Sequence, residues 1–344
     1  DDSEMKFADD GAISVSDAAT KANADTINAY TTGQVTLTAV SDTVANITLI
    51  DGLTTSEVTM AAANVSITDT GATKAQVDAV NAFTTGTVTP TSVTEDRADL
   101  ATLEGTTGIS LSTTNITVTD QVTKAQADTI NGYTTGQVVL NSSSMTVAEL
   151  AAVEALDDSE MKFADDGAIS VSDAATKANA DTINAYTTGQ VTLTSVSDTV
   201  ANITAIDALT TSEVTMAGAT VSITDAGVTK TQLDNVNAFT TGTVTALTVT
   251  EDRADITTLQ GTTGISLAAT NITVTDAVSL AQANTLNGYT TGTVTLNSVS
   301  DTVANLATLA AIDNSEVTIA GAVISVSDAA TKANADTINA YTTG

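Results

Sequence analysis

Seven aspartates recur at the ends of strand-like runs: Asp17, Asp69, Asp120, Asp173, Asp225, Asp276 and Asp328. A shorter counterpart of the same slot carries Asp42, Asp198 and Asp301, with Glu95-Asp96 and Glu251-Asp252 as variants. If each recurrence is one rung of a stack, these carboxylates form columns. Carboxylates backed by main-chain carbonyls are the donor set of a Ca2+ site, so the seven aspartates are candidate calcium ligands. Aspartate at a strand-to-helix junction equally serves turns and helix caps. The glycine-rich Asp nonapeptide of calcium-binding β-rolls is absent, which favours turn and cap chemistry over calcium. No other cofactor is implied.

Other chemistry is sparse. Without His or Cys, the commonest general base and the strongest nucleophile are missing. The ten basic residues all sit in repeated slots. Lys21, Lys74, Lys124, Lys177, Lys230 and Lys332 form one column, which Leu280 interrupts; Lys6 and Lys162 share a slot, as do Arg97 and Arg253. A catalytic constellation would break the repeat at one place. The clearest departure, Asn141-Ser-Ser-Ser-Met145, carries no acid, base or metal partner, so the chain is not expected to be an enzyme.

Three further columns have binding readings. Tyr30, Phe83, Tyr133, Tyr186, Phe239, Tyr289 and Tyr341 share one slot. Such a row could hold carbohydrate, but the interchange of Phe and Tyr in phase with an apolar helix face favours an aromatic ladder capping the core. Thr36, Thr59, Thr192, Thr215, Thr245 and Thr295 point outward from strands. Flat threonine arrays can bind ice, yet Thr is also a good exposed strand residue, and Lys6 and Lys162 interrupt the column. Asn-X-Ser/Thr occurs at Asn46, Asn64, Asn115, Asn141, Asn202 and Asn271, a pattern that composition alone produces in so Ser/Thr-rich a chain.

The elements that position these residues repeat on nested periods. Residues 1–38 are identical to 157–194, an offset of 156, and the pattern restarts at Asp313. Within each 156 the aromatic-Thr-Thr-Gly signature recurs at Gly33, Gly86, Gly136, Gly189, Gly242, Gly292 and Gly344, about every 52 residues. Ser3, Ser56, Gly108, Ser159, Ser212, Gly264 and Ser315 mark the intervening joints, so short and long segments alternate and average about 26 residues. In 189–212, Val191-Thr-Leu193-Thr alternates like a half-buried strand. Ser197 is read as an N-cap, followed by a short helix with Val200, Ile203, Ile206 and Leu209 on one face. In 212–242, strands at Val214–Met216 and Val221–Thr224 precede a helix over 229–239. Gly242 is then expected to take the left-handed conformation past the helix end.

A ten-residue helix is marginal alone, but stacked copies cover one another's faces. Strand and helix in alternation with short connections predict parallel strands and right-handed crossovers. The expected fold is an α/β solenoid with about 26 residues per coil, a 52-residue paired-coil unit and a 156-residue super-repeat. At about 4.8 Å per coil it would measure on the order of 60 Å. The domain reading is one continuous array over 1–344, divided into 1–156, 157–312 and the start of a third copy at 313–344. Because both ends fall inside the pattern, a fragment of a longer chain is expected.

Composition fits such an array. Threonine is about a fifth of the 344 residues, aromatics are 3% and hydrophobic residues 42%, enough for a core of Val, Ile, Leu and Ala. A net charge of −31 disfavours nucleic acid and anionic membranes. No apolar run is long enough to insert into a membrane. The SVSDTVANIT and TKAQADTINGYTTG repeats resemble the long arrays of very large bacterial surface and secreted proteins, cyanobacterial ones included. The resemblance covers nearly the whole chain. It implies an extracellular or cell-surface adhesin, sheath, surface-layer or filament component, and supplies no catalytic residues. The lead expectation is therefore a structural repeat region, a rod, stalk, sheath or filament, with self-association into fibres or layers. The alternative is a calcium- or glycan-binding adhesin module that uses the acidic columns.

Overall fold

The computed structural model describes residues 8–53, 57–209, 213–312 and 316–344. The expected joints at Ser3, Ser56, Ser212 and Ser315, together with Lys6 and Phe7, lie outside the described residues. The fold is α/β, with short helices alternating with strands that pair in parallel. The chain forms two compact units, Asp1–Ser170 with Tyr186–Gly189, and Val171–Ala185 with Gln190–Gly344.

The helices are short because their sequences specify both ends. In the first unit Lys74–Asn81 starts at Thr73, whose backbone is extended and whose hydroxyl accepts the Gln76 N–H, while the Gln76 side chain accepts the Thr73 N–H. This reciprocal box satisfies two orphan amides. The same box opens Lys124–Asn131 and, in the second unit, Lys230–Asn237. Lys21–Asn28 and Lys332–Asn339 bury one residue each, and the helices between them bury two residues three apart: Ile47 and Ile50, Val77 and Val80, Leu100 and Leu103 in the first unit, Ile203 and Ile206, Leu233 and Val236 in the second. Facing them are the inward strand residues, such as Val35, Leu37 and Val40, each 1% exposed or less. Helix and strand each supply one apolar stripe, and the core lies between them.

Two local expectations change. The helix after Val191–Asp198, Val200–Asp207, is capped by Thr199, not Ser197, because Ser197 and Asp198 still belong to the strand. The helix expected over 229–239 spans Lys230–Asn237. Its right-handed C-cap, Ala238, already bonds back to Asp234, so Gly242 is not required to turn the chain. Glycines with positive φ are Gly71, Gly108, Gly227 and Gly264 instead.

Strand registers explain why segment lengths alternate. In the first unit, the strand Val35–Asp42 meets two extended pieces of the following long segment: Val35 pairs with Val58, and Val40 with Val65. On its other side that long segment pairs through its second piece and a third: Val65 with Val88, and Ala72 with Val93. The long segment thus carries three extended pieces and the short one two, and partners step along by one piece. The second unit repeats the pattern, with Val191 on Val214, Val196 on Val221, Val221 on Val244 and Val228 on Val249. The third piece is short because one apolar residue, Ala72 or Val228, directly precedes a threonine cap.

Candidate functional site

The acidic columns hold helix starts. A helix leaves its first amides without intrahelical acceptors. The local cap takes the N3 amide, and the first helical amide is taken from the following segment. In the first unit the Val44 N–H donates to Asp69 at 2.6 Å and the Arg97 N–H to Asp120 at 2.9 Å. In the second, the Val200 N–H donates to Asp225 at 2.6 Å, Arg253 to Asp276 at 2.8 Å and Val303 to Asp328 at 2.9 Å. Glutamate replaces aspartate without changing the bond: Lys74 donates to Glu95 and Lys230 to Glu251. A carboxylate on these amides also meets the positive end of the helix dipole. Asp17 and Asp173 lie on the strands Ile13–Ala19 and Met161–Ala175. Among the described residues no three acidic side chains converge on a point that could hold a metal ion.

Asp42, Asp198 and Asp301 do more. One oxygen of Asp42 accepts the Lys21 N–H at 2.8 Å; the other accepts the Thr43 N–H and the Asn46 amide, both at 2.8 Å. Asp198 and Asp301 repeat this bracket on Lys177, Thr199 and Asn202, and on Leu280, Thr302 and Asn305. Partial burial disfavours the charge, yet the three donors outweigh it and hold all three carboxyls below their ordinary range. Elsewhere burial wins. It raises Asp207 and Glu154, the latter helped by the neighbouring Asp158, and it raises the Tyr186 phenol, helped by Glu154.

The Thr-Thr-Gly tripeptide is a clamp. Thr84 Oγ1 donates to the Ala63 carbonyl at 2.6 Å and accepts the Gly86 N–H at 2.9 Å. Thr85 gives both its N–H and its hydroxyl to the Ala61 carbonyl. Gly86 follows because a β-carbon there would fall on the Ala63 carbonyl oxygen. The same bonds recur at Thr134-Thr135-Gly136 and Thr187-Thr188-Gly189 in the first unit, and at Thr240-Thr241-Gly242 and Thr290-Thr291-Gly292 in the second. Gly108 and Gly264 are different despite the identical tripeptide. They adopt φ of +90° and +89°, and the Asn81 and Asn237 amides donate to the preceding Thr107 and Thr263 carbonyls. What distinguishes them in sequence is the residue before the tripeptide: Gly105 and Gly261 rather than an aromatic.

The remaining columns are structural or half-exposed. Lys21, Lys74, Lys124, Lys177, Lys230 and Lys332 pair with the aspartate four residues on, at 2.5–2.6 Å. Lysine at the first helical position is misplaced against the dipole, and both this aspartate and the capping carboxylate offset it. Phe83, Tyr133, Phe239 and Tyr289 are half-buried, and Phe163 stacks on Tyr186 with ring centres 6.2 Å apart. The Asn64, Asn115 and Asn271 side chains accept main-chain amides at Thr87, Gln137 and Thr293, so three of the six Asn-X-Ser/Thr positions sit in joints between strands. In the strand of Asn141-Ser-Ser-Ser-Met145, Ser143 is fully buried and its hydroxyl has no partner. A groove of about 410 Å³ on the outer strand face of the first unit is lined by Ala18, Ala39, Ser41, Asn64, Ser66 and Thr89, among others, with no titratable side chain. No described helix is long and apolar enough to cross a membrane.

Comparison with protein-family models gives no match, and comparison with curated proteins gives none either.

Proposed function

We propose that this chain is a structural repeat region of an extracellular or cell-surface bacterial protein, acting as part of a rod, stalk, sheath or filament. Its coils stack as an α/β solenoid of about 26 residues per coil, 52 per pair and 156 per super-repeat. One observation carries the reading. The side chains that looked able to bind or react, the acidic columns and the Thr-Thr-Gly hydroxyls, are the groups that join one segment to the next. The lack of cysteine and the acidic surface, which keeps a long chain soluble, support the extracellular assignment. Closely similar surfaces repeated every 156 residues support lateral self-association into fibres or layers.

A second reading, a glycan-binding module, rests on the open groove whose wall is hydroxyls and methyls. Calcium belongs to this alternative as well, through the acidic columns. Thermal unfolding in calcium and in EDTA tests the choice. The structural reading expects the same midpoint in both; a calcium-dependent rise of several degrees would make the acidic columns metal sites.

A further inference from the structure

We infer that the acidic ladder couples the segments in one direction: where a segment carries the carboxylate, it stabilises the helix of the segment before it. Among the described residues ten such bonds are present, four in the first unit and six in the second. In every one the donor is the first helical amide of the earlier segment and the acceptor lies 21–25 residues later. The local cap cannot substitute, because its hydroxyl is engaged with the N3 amide; Thr199 accepts from Asn202 and Thr43 from Asn46. Each of these ten helix starts is therefore completed only once its successor has folded. Loss of a segment leaves the helix before it with an open amide. The helix after it keeps its cap and its own successor's carboxylate.

Asp225 is the place to test this. It accepts the Val200 N–H of the preceding helix, whereas brackets such as Asp198 also serve their own helix. Hydrogen exchange is followed on Asp225→Ala in the full chain. Exchange across Val200–Asp207 should speed up on the order of five- to tenfold, the size of a lost helix cap, while Lys230–Asn237 of its own segment stays within about twofold. Asp225→Asn keeps an acceptor oxygen and should give a smaller change confined to the same preceding helix. It also keeps the test decisive if the alanine variant does not fold. Equal acceleration in both helices, acceleration only in Lys230–Asn237, or no change in either would overturn the one-way coupling.

Discussion

Thr84 Oγ1 lies 2.6 Å from the carbonyl oxygen of Ala63, 21 residues earlier, and the hydroxyl is buried. The threonine is both donor across the joint and acceptor for its own Gly86 amide. Its replacement by valine keeps the shape and removes both bonds. Thr84→Val should lower stability by about 1–3 kcal/mol, the cost of leaving buried polar groups unmet. Thr85→Val should cost under about 1 kcal/mol, because Thr85 is exposed and its main-chain N–H still reaches Ala61. Chemical denaturation of the two variants checks the order; a larger loss at Thr85 would contradict the clamp.

Glycines in this chain divide by what surrounds them. Gly86→Ala drives a β-carbon into the Ala63 carbonyl and should destabilise by about 3 kcal/mol or more, since main chain on both sides must move. Gly218 has nothing within 4 Å of the position its β-carbon would take, and its φ is not positive. Gly218→Ala should be neutral or stabilising by up to about 1 kcal/mol through the unfolded chain. Melting temperatures of the two variants should move in opposite directions, or one should fall while the other holds.

Ser143 occupies the strand slot held by Val40, Val196 and Val299, and its buried hydroxyl is without a partner. Ser143→Val should raise stability by about 1–2 kcal/mol, from burial of methyl groups and relief of the unmet hydroxyl. An unchanged or lower unfolding midpoint would show that the hydroxyl is satisfied.

Asp301 is 9% exposed and its carboxyl is held below the ordinary value. The folded state therefore binds fewer protons than the unfolded one between those two values. Its contribution is complete above about pH 4, the unfolded carboxyl value, and is lost as pH falls through the folded one. Asp301→Asn should lower the melting temperature at pH 7, and the gap to the wild type should close toward pH 3. Asp207 and Glu154 have the opposite sign: burial raises them, so they oppose folding at neutral pH and do so less as they protonate. A gap for Asp301→Asn that widens on acidification would contradict the bracket.

The sequence exposes its periods but not the partners across them. Strands such as Val191–Asp198, and helices with residues such as Ile203 and Ile206 on one face, are visible because alternation and three-residue spacing are local signals. The Thr-Thr-Gly joint was legible from phase alone. Asp69, Asp120, Asp225, Asp276 and Asp328 read as residues of a local strand-to-helix junction, but the helix start each one serves is the earlier one, and a bond spanning 23–25 residues leaves no local mark. Gly242 reads as a left-handed turn because that is glycine's usual reason at a helix end. Close approach of another strand is an equally good reason, and only the register reveals it. The third extended piece leaves no signal in the sequence because Ala72 and Val228 are single apolar residues, too short a run to show a period.

Stacking of interchangeable paired coils is the central claim, and an in-phase deletion tests it most directly. Removal of residues 34–86 joins Gly33 to Thr87, so one short and one long coil are lost and every joint type is kept. The account predicts a folded protein by circular dichroism, with unchanged helix and strand signal per residue and a modestly lower unfolding midpoint. Loss of the cooperative transition on this deletion would contradict it.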